Sequence, residues 1–189
     1  MEEQALKHYK AKKMMLWVGM ISMAMTFAGL TSAYVVSSSR ADWLSQFKIP
    51  GSFTISTLLI LTSSFSFYLA KKSLFSKNIK ATKILILTTF ILALLFVYFQ
   101  FKGFAEIVAQ GYYFTGAESS ITTSFLYVLV LLHLAHLFAG IIVLLVVYFR
   151  LVKGSYSGSN ILGFELAHLF WHFLDILWIY LYLFVLLYK

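Results

Sequence analysis

The side chains that could do chemistry in this chain lie in its last hydrophobic stretch, residues 163–182. Glu165, His168, His172 and Asp175 stand at offsets of three, seven and ten residues from the first of them. At about 100° per residue, these offsets place all four on one narrow stripe of a helix whose other faces are apolar. An ionisable group at membrane depth is costly, about 2.5–3.5 kcal/mol for Asp near the centre, so it normally faces protein. The pattern therefore predicts that another helix packs against this stripe.

The nearest candidate for that partner is the preceding hydrophobic run. His133 and His136 in this run are spaced i, i+3 and share one face of a helix. Buried polar groups in membrane proteins commonly hydrogen-bond across helices. We therefore predict a structural polar seam that fixes how the last two helices pack. Its members are His133, His136, Glu165, His168, His172 and Asp175.

Two kinds of metal site compete with this interpretation. Glu165-x-x-His168 has the spacing used by di-iron bundles, but such a site needs a second Glu-x-x-His helix and two further Glu. The other helix offers only His133-x-x-His136, and the longest polar connection, 102–120, holds the nearest other carboxylates. A haem site would need one His from each helix at matched depth. The di-iron ligand set is incomplete, and a polar seam explains the histidines more simply than haem, so we predict no catalytic residue, metal or cofactor in this chain.

The composition is that of an integral membrane protein. Of 189 residues, 61% are hydrophobic and 12% are charged, whereas soluble proteins are about 25% charged. The chain contains no cysteine, which excludes disulfides, iron–sulfur clusters and thiolate-held metals of its own. The formal net charge of +8 comes from lysines beside hydrophobic runs rather than from a basic domain, so no nucleic acid partner is predicted.

Five hydrophobic runs are long enough to cross about 30 Å of hydrocarbon. They predict an all-α membrane bundle that forms a single domain over residues 1–189. The runs are 14–36, 53–70, 84–101, 121–149 and 161–188. With the N-terminus inside, the inner side carries eleven Lys and Arg residues and the outer side four. This excess predicts a cytoplasmic N-terminus and an external C-terminus.

Small and aromatic residues suggest how these helices pack. Ala28-x-x-x-Ser32 in the first run suits a close approach between helices. Trp171 and Trp178 are predicted to serve bundle packing and interfacial anchoring rather than cofactor binding.

The final stretch resembles the signature of cytochrome c oxidase subunit III, in which Gly-Phe-Glu precedes Tyr-Trp-His-Phe-Val-Asp-Val-Val-Trp. Here Gly-Phe-Glu occupies 163–165, and Phe-Trp-His-Phe-Leu-Asp-Ile-Leu-Trp occupies 170–178. Ser-Phe-Leu-Tyr at 124–127 and the segment 133–140 are similar to two further elements of that family. The resemblance covers about residues 19–182 and points to the short bacterial form with five helices. In its first helix, family members carry a buried Glu where this chain has Met23.

The resemblance implies an accessory, non-redox subunit of a respiratory haem–copper terminal oxidase in the bacterial cytoplasmic membrane. It implies that subunits I and II hold haem and copper, reduce oxygen and pump protons. This chain would stabilise subunit I, bind phospholipid and support proton uptake, with a larger respiratory supercomplex as a further assembly. A quinol-oxidising oxidase would use a very similar subunit. A membrane haem protein, a di-iron protein and a transporter are the remaining alternatives, although a transporter would more often show paired halves or broken spans.

Overall fold

Five α-helices form the regular structure of the computed structural model, which describes residues 2–40, 43, 49–114, 116, 120–154, 156 and 161–188. Each is long and apolar enough to cross a membrane. The prediction of an all-α protein with five membrane-spanning helices is thus confirmed. The helices are α1 (Glu2–Ser37), α2 (Gly51–Phe75), α3 (Ile79–Ala109), α4 (Ile121–Val152) and α5 (Leu162–Leu187).

Side-chain caps set the starts of the two longest inner helices. The side chain of Asn78 accepts a hydrogen bond from the backbone N–H of Ala81 at the start of α3. Ser120 caps α4 in the same way through the N–H of Thr123. Each cap satisfies a backbone donor that has no partner inside the helix. At its other end, α3 continues to Ala109, so the first part of the predicted polar connection is helical.

Helices α2 and α3 form the closest pair of the bundle. Phe53 of α2 lies against Gly103 of α3, where a Cβ atom would come within 2.5 Å of the Phe53 ring. The ring is buried and is also held by Phe104 and Trp178, with centroid distances of 6.1 and 6.2 Å. Only glycine at residue 103 therefore leaves room for the Phe53 ring in this position.

Replacing Gly103 by Ala is expected to lower the free energy of unfolding by about 1–3 kcal/mol, because overpacking forces a fixed ring to move. Unfolding by SDS in mixed micelles, followed by circular dichroism, measures the change. Gly29→Ala is the matched control, since a Cβ there meets nothing within 4 Å and alanine favours a helix. Equal stability of the two variants would contradict the close approach.

Helices α5 and α4 each contact three of the other described helices, and those around α5 are α1, α2 and α4. Helix α5 runs parallel to α1, which it meets near one end through Glu165 and Tyr9 and near the other through Tyr180 and Thr31. It runs antiparallel to α2, since Trp178 bonds to Thr57 near the start of α2. The polar stripe of α5 is consequently enclosed by α2 and the N-terminal part of α1.

Helix α1 covers the bundle from one side and is the most exposed of the five. It contacts only α4 and α5 among the described helices. Ala28 and Ser32 both lie on its exposed face. A helix that packs on this predicted small-residue pair would therefore have to come from another chain.

Candidate functional site

The ionisable stripe of α5 forms a row of polar contacts with α2. His172 Nδ1 lies 2.5 Å from Ser64 Oγ of α2. On its other side, His172 Nε2 lies 3.0 Å from His168 Nε2. Asp175 Oδ2 follows one turn further along α5, 3.9 Å from His172 Nδ1. We call Glu165, His168, His172, Asp175 and Ser64 the polar file.

One end of the polar file opens at the positively charged end of the bundle. Tyr9 Oη of α1 donates a hydrogen bond to Glu165 Oε2 at 2.5 Å. Lys13 of α1, Lys71 of α2 and His168 line the same cleft. We call this end, where α1 starts and the α2–α3 and α4–α5 connections lie, the basic end. The polar file is therefore accessible from the side of the molecule that carries most of the cations.

The other end of the polar file is closed. Asp175 is 2% exposed, and neither of its carboxyl oxygens has a hydrogen-bond partner in the described structure. His172, one turn closer to the cleft, has a side chain that is 24% exposed. Burial thus increases along α5 from the cleft to Asp175.

The two histidines of α4 do not join the polar file. His133 is fully buried, and neither ring nitrogen has a hydrogen-bond partner. It lies against Phe96 and Trp178, with ring-centroid distances of 6.1 and 5.2 Å. His136 donates from Nδ1 to the carbonyl of Leu132 in its own helix. The structure therefore brings the four predicted residues of α5 together, but separates them from the two on α4.

Comparison with known proteins matches the chain to the family described as "Cytochrome c oxidase subunit III" over residues 7–189. The chain belongs to the cytochrome c oxidase subunit III family. This assignment confirms the family that the sequence motifs indicated.

Named relatives include subunits of two kinds of haem–copper oxidase. The chain is 31% identical to cytochrome bo(3) ubiquinol oxidase subunit 3 of Buchnera aphidicola subsp. Acyrthosiphon pisum over 173 residues, which is 90% of this chain and 83% of the relative. It is 32% identical to cytochrome c oxidase subunit 3 of Alkalihalophilus pseudofirmus over 157 residues, covering 83% of this chain and 73% of that one. The chain is a subunit III of a haem–copper oxidase.

Hydroxyl groups on α2 contact the polar and aromatic side chains of α5, and the sequence interpretation of this subunit III did not identify them. The indole N–H of Trp171 donates to Ser63 Oγ at 3.2 Å, and that of Trp178 donates to Thr57 Oγ1 at 3.0 Å. Both indoles are buried and pack inside the bundle, and their role as interfacial anchors stays a prediction. The serines and threonines recur at helical spacing in α2, which is the signal that could have identified this face. They are Ser52, Ser56, Thr57, Ser63 and Ser64.

Two further positions bear on the chemistry of this family member. Met23, where the sequence resemblance leads us to expect a Glu in other family members, is partly buried and packs against the apolar core of the bundle. Among the residues that the structure describes, no three His, Cys, Asp or Glu side chains are grouped closely enough to hold a metal ion. Glu106, which could have supplied a carboxylate, instead accepts a hydrogen bond from Ser52 of α2.

Proposed function

We propose that this chain is the accessory subunit of a respiratory terminal oxidase and packs beside a catalytic subunit I. In this assembly, subunit I and subunit II hold haem and copper, reduce oxygen and pump protons, while this chain acts as a single domain that stabilises subunit I. The observation that carries the proposal is the family match over residues 7–189. The burial of polar groups between α2 and α5 supports a structural role, since such contacts fix how helices pack in a membrane.

A gentle purification from the native membrane tests this role. A reduced-minus-oxidised visible spectrum shows whether haem accompanies the chain, metal analysis detects copper, and mass spectrometry identifies the other subunits. We expect haem and copper to arrive with larger chains and to be lost when those chains are removed. Stoichiometric haem or iron on this chain alone would overturn the accessory role.

The electron donor is cytochrome c in our main proposal and quinol in the alternative. Both are represented among the relatives, one named a cytochrome c oxidase subunit and another a ubiquinol oxidase subunit, at 32% and 31% identity. Subunit II of the purified complex separates the two cases. A copper-bearing domain for cytochrome c supports the first case, and a subunit II without that copper supports the quinol oxidase.

We further propose that the chain binds phospholipid, assists proton uptake by the complex, and joins a larger respiratory supercomplex. The cleft at the basic end supports lipid binding, because Lys13 and Lys71 stand beside the apolar side chains of Leu162 and Leu166. Anionic head groups favour such a basic surface next to the membrane. Lipid analysis of the purified complex with and without this chain tests the binding. Oxygen consumption by the same two preparations tests the assistance to turnover.

The basic end is proposed to face the cytoplasm of a bacterium, across its inner membrane. Eleven of the fifteen Lys and Arg residues belong to the segments at this end. A reporter enzyme that works only outside the cytoplasm is therefore expected to be active when fused after Lys189. The same reporter fused after Lys77, in the α2–α3 turn, is the matched control and is expected to be inactive. The reverse pattern of activities would invert the topology.

A further inference from the structure

Asp175 is too deeply buried to carry an unpaired charge at low cost. It is 2% exposed, its oxygens accept no hydrogen bond in the described structure, and it stands near the middle of α5. An ionised carboxylate without partners in a medium of low dielectric constant is strongly disfavoured, and such a group takes up a proton instead. A carboxyl group in this setting binds a proton that it can also give back.

Polar groups connect this carboxyl to the outside in one direction only. His172 Nδ1 lies 3.9 Å from Asp175 Oδ2 and 2.5 Å from Ser64 Oγ. His172 Nε2 lies 3.0 Å from His168 Nε2, and His168 lines the open cleft. Imidazole holds a proton on one nitrogen and accepts one on the other, so both rings are suited to pass a proton along. The polar file thus leads from the cleft to His172, and a gap of 3.9 Å, longer than a hydrogen bond, separates His172 from Asp175.

Beyond Asp175 the series stops. The next polar side chain on this face of α5 is Trp178, whose indole N–H donates to Thr57 and has no nitrogen lone pair to accept a proton. His133 of α4 lies against the Trp178 ring without a hydrogen bond. Among the described residues, no hydrogen bond joins Asp175 to Trp178, Thr57 or His133 on this side, so the arrangement favours a store over a channel.

We propose that Asp175 is a reversible proton-binding site inside the membrane, which exchanges one proton with the basic end of the bundle through His172 and His168. The role of this site in the complex rests on the assistance to proton uptake proposed above. Asp175 would provide that assistance by storing a proton close to the basic end.

The transfer moves one proton and leaves both rings neutral. A proton from water in the cleft enters Nδ1 of His168, and His168 gives its Nε2 proton to Nε2 of His172. The ring of His172 then turns from Ser64 Oγ toward Asp175 and gives its Nδ1 proton to the carboxylate, which becomes a carboxylic acid. Release follows the same steps in reverse. Each imidazole gains one proton and loses one, so only Asp175 changes its charge.

The charged groups around the polar file control how readily a proton enters. Lys71 of α2 and Lys13 of α1 face the cleft, and their positive charges disfavour the protonation of His168. Glu165 of α5 faces the same cleft and favours an incoming proton, while Tyr9 holds its carboxylate in place. His133 of α4 is the remaining ionisable group on the neighbouring helices near Asp175.

Infrared spectroscopy of the purified complex tests the site directly. Protonated carboxylic acids absorb at a characteristic carbonyl frequency, which falls when the proton is replaced by deuterium. We expect Asp175→Asn to remove one such band and Asp175→Glu to move it. If folded variants, checked by circular dichroism, show the same carbonyl bands as the wild type, Asp175 holds no proton and the proposal is overturned.

The rate at which this band shifts after transfer into heavy water tests the route. His168→Gln and His172→Gln are expected to slow the shift by roughly 100-fold, the low end of what a positioned proton-transfer group contributes. His136→Gln is the matched control, because His136 bonds only to its own helix among the described contacts of its ring nitrogens. Equal rates in all three variants would overturn the route. If the chain purifies without haem but shows the band with the expected exchange, the proton site is retained and the oxidase role is rejected. If haem accompanies the chain but no such band appears, the oxidase role is retained and the proton site is rejected.

Discussion

Trp171→Ala is expected to lower the free energy of unfolding by about 3 kcal/mol, the lower end of the range for removing a buried Trp. The ring is 1% exposed and lies on Gly140 of α4, where a Cβ would be 3.4 Å from two of its carbon atoms. It also packs edge-on against Phe67 of α2, with a centroid distance of 6.4 Å. The lower end applies because lipid, unlike water, is no more polar than the core, so the loss comes from packing and from the cavity.

SDS unfolding in mixed micelles, followed by circular dichroism, measures this loss and separates its parts. Trp171→Phe keeps a ring in the core and removes the bond from the indole N–H to Ser63, so we expect a loss of about 1 kcal/mol. Ile176→Ala on the outward face of the same helix is the control, because Ile176 is 66% exposed. Its effect should stay within about 0.5 kcal/mol. If the alanine variants at 171 and 176 were equally stable, the contact of α5 with α2 and α4 would not be as described.

The helices of this protein were predictable from its sequence because the signals for them are long and strong. Runs of apolar residues separated by lysines specify five helices without knowledge of any tertiary contact. The helix ends were less evident. Helix α3 extends to Ala109 because Glu106, on a segment that looks polar, bonds to Ser52 of α2. A polar residue at a helix end is ambiguous until its partner is known.

The spacing along α5 predicted which four residues share a face, since that follows from helix geometry alone. It did not predict the helix that they face. Helix α4 directly precedes α5 in the chain, but α5 has α1, α2 and α4 around it, and their arrangement is set by packing. The hydroxyl group that contacts His172 belongs to Ser64 of α2. A serine within a helix can bond to its own backbone, so its presence in the sequence is only a weak indication of a contact with another helix. The seam with His133 and His136 stays a prediction, and the stability of histidine variants provides its test.

His133→Leu and His172→Leu are expected to change stability in opposite directions. His133 is fully buried, and both its nitrogens lack hydrogen-bond partners in the described structure. Replacing it by an apolar side chain removes an unsatisfied polar group, which costs about 1–3 kcal/mol in the native state. The branched shape of leucine fits a site built for a flat ring less well and offsets part of this gain, so we expect a net rise of about 1 kcal/mol in the free energy of unfolding.

His172→Leu is expected to lower the same quantity by about 1–3 kcal/mol, because it removes the contacts to Ser64 and His168 and the imidazole that lies 3.9 Å from Asp175. His136→Leu is the control for removing a histidine whose ring bonds only within its own helix. All three variants are compared by SDS unfolding of the purified chain. A loss of stability in His133→Leu as large as that in His172→Leu would mean that His133 satisfies polar groups of α5, as the seam predicted from the sequence requires. A gain in His133→Leu would assign the polar packing of α5 to α1 and α2 and not to α4.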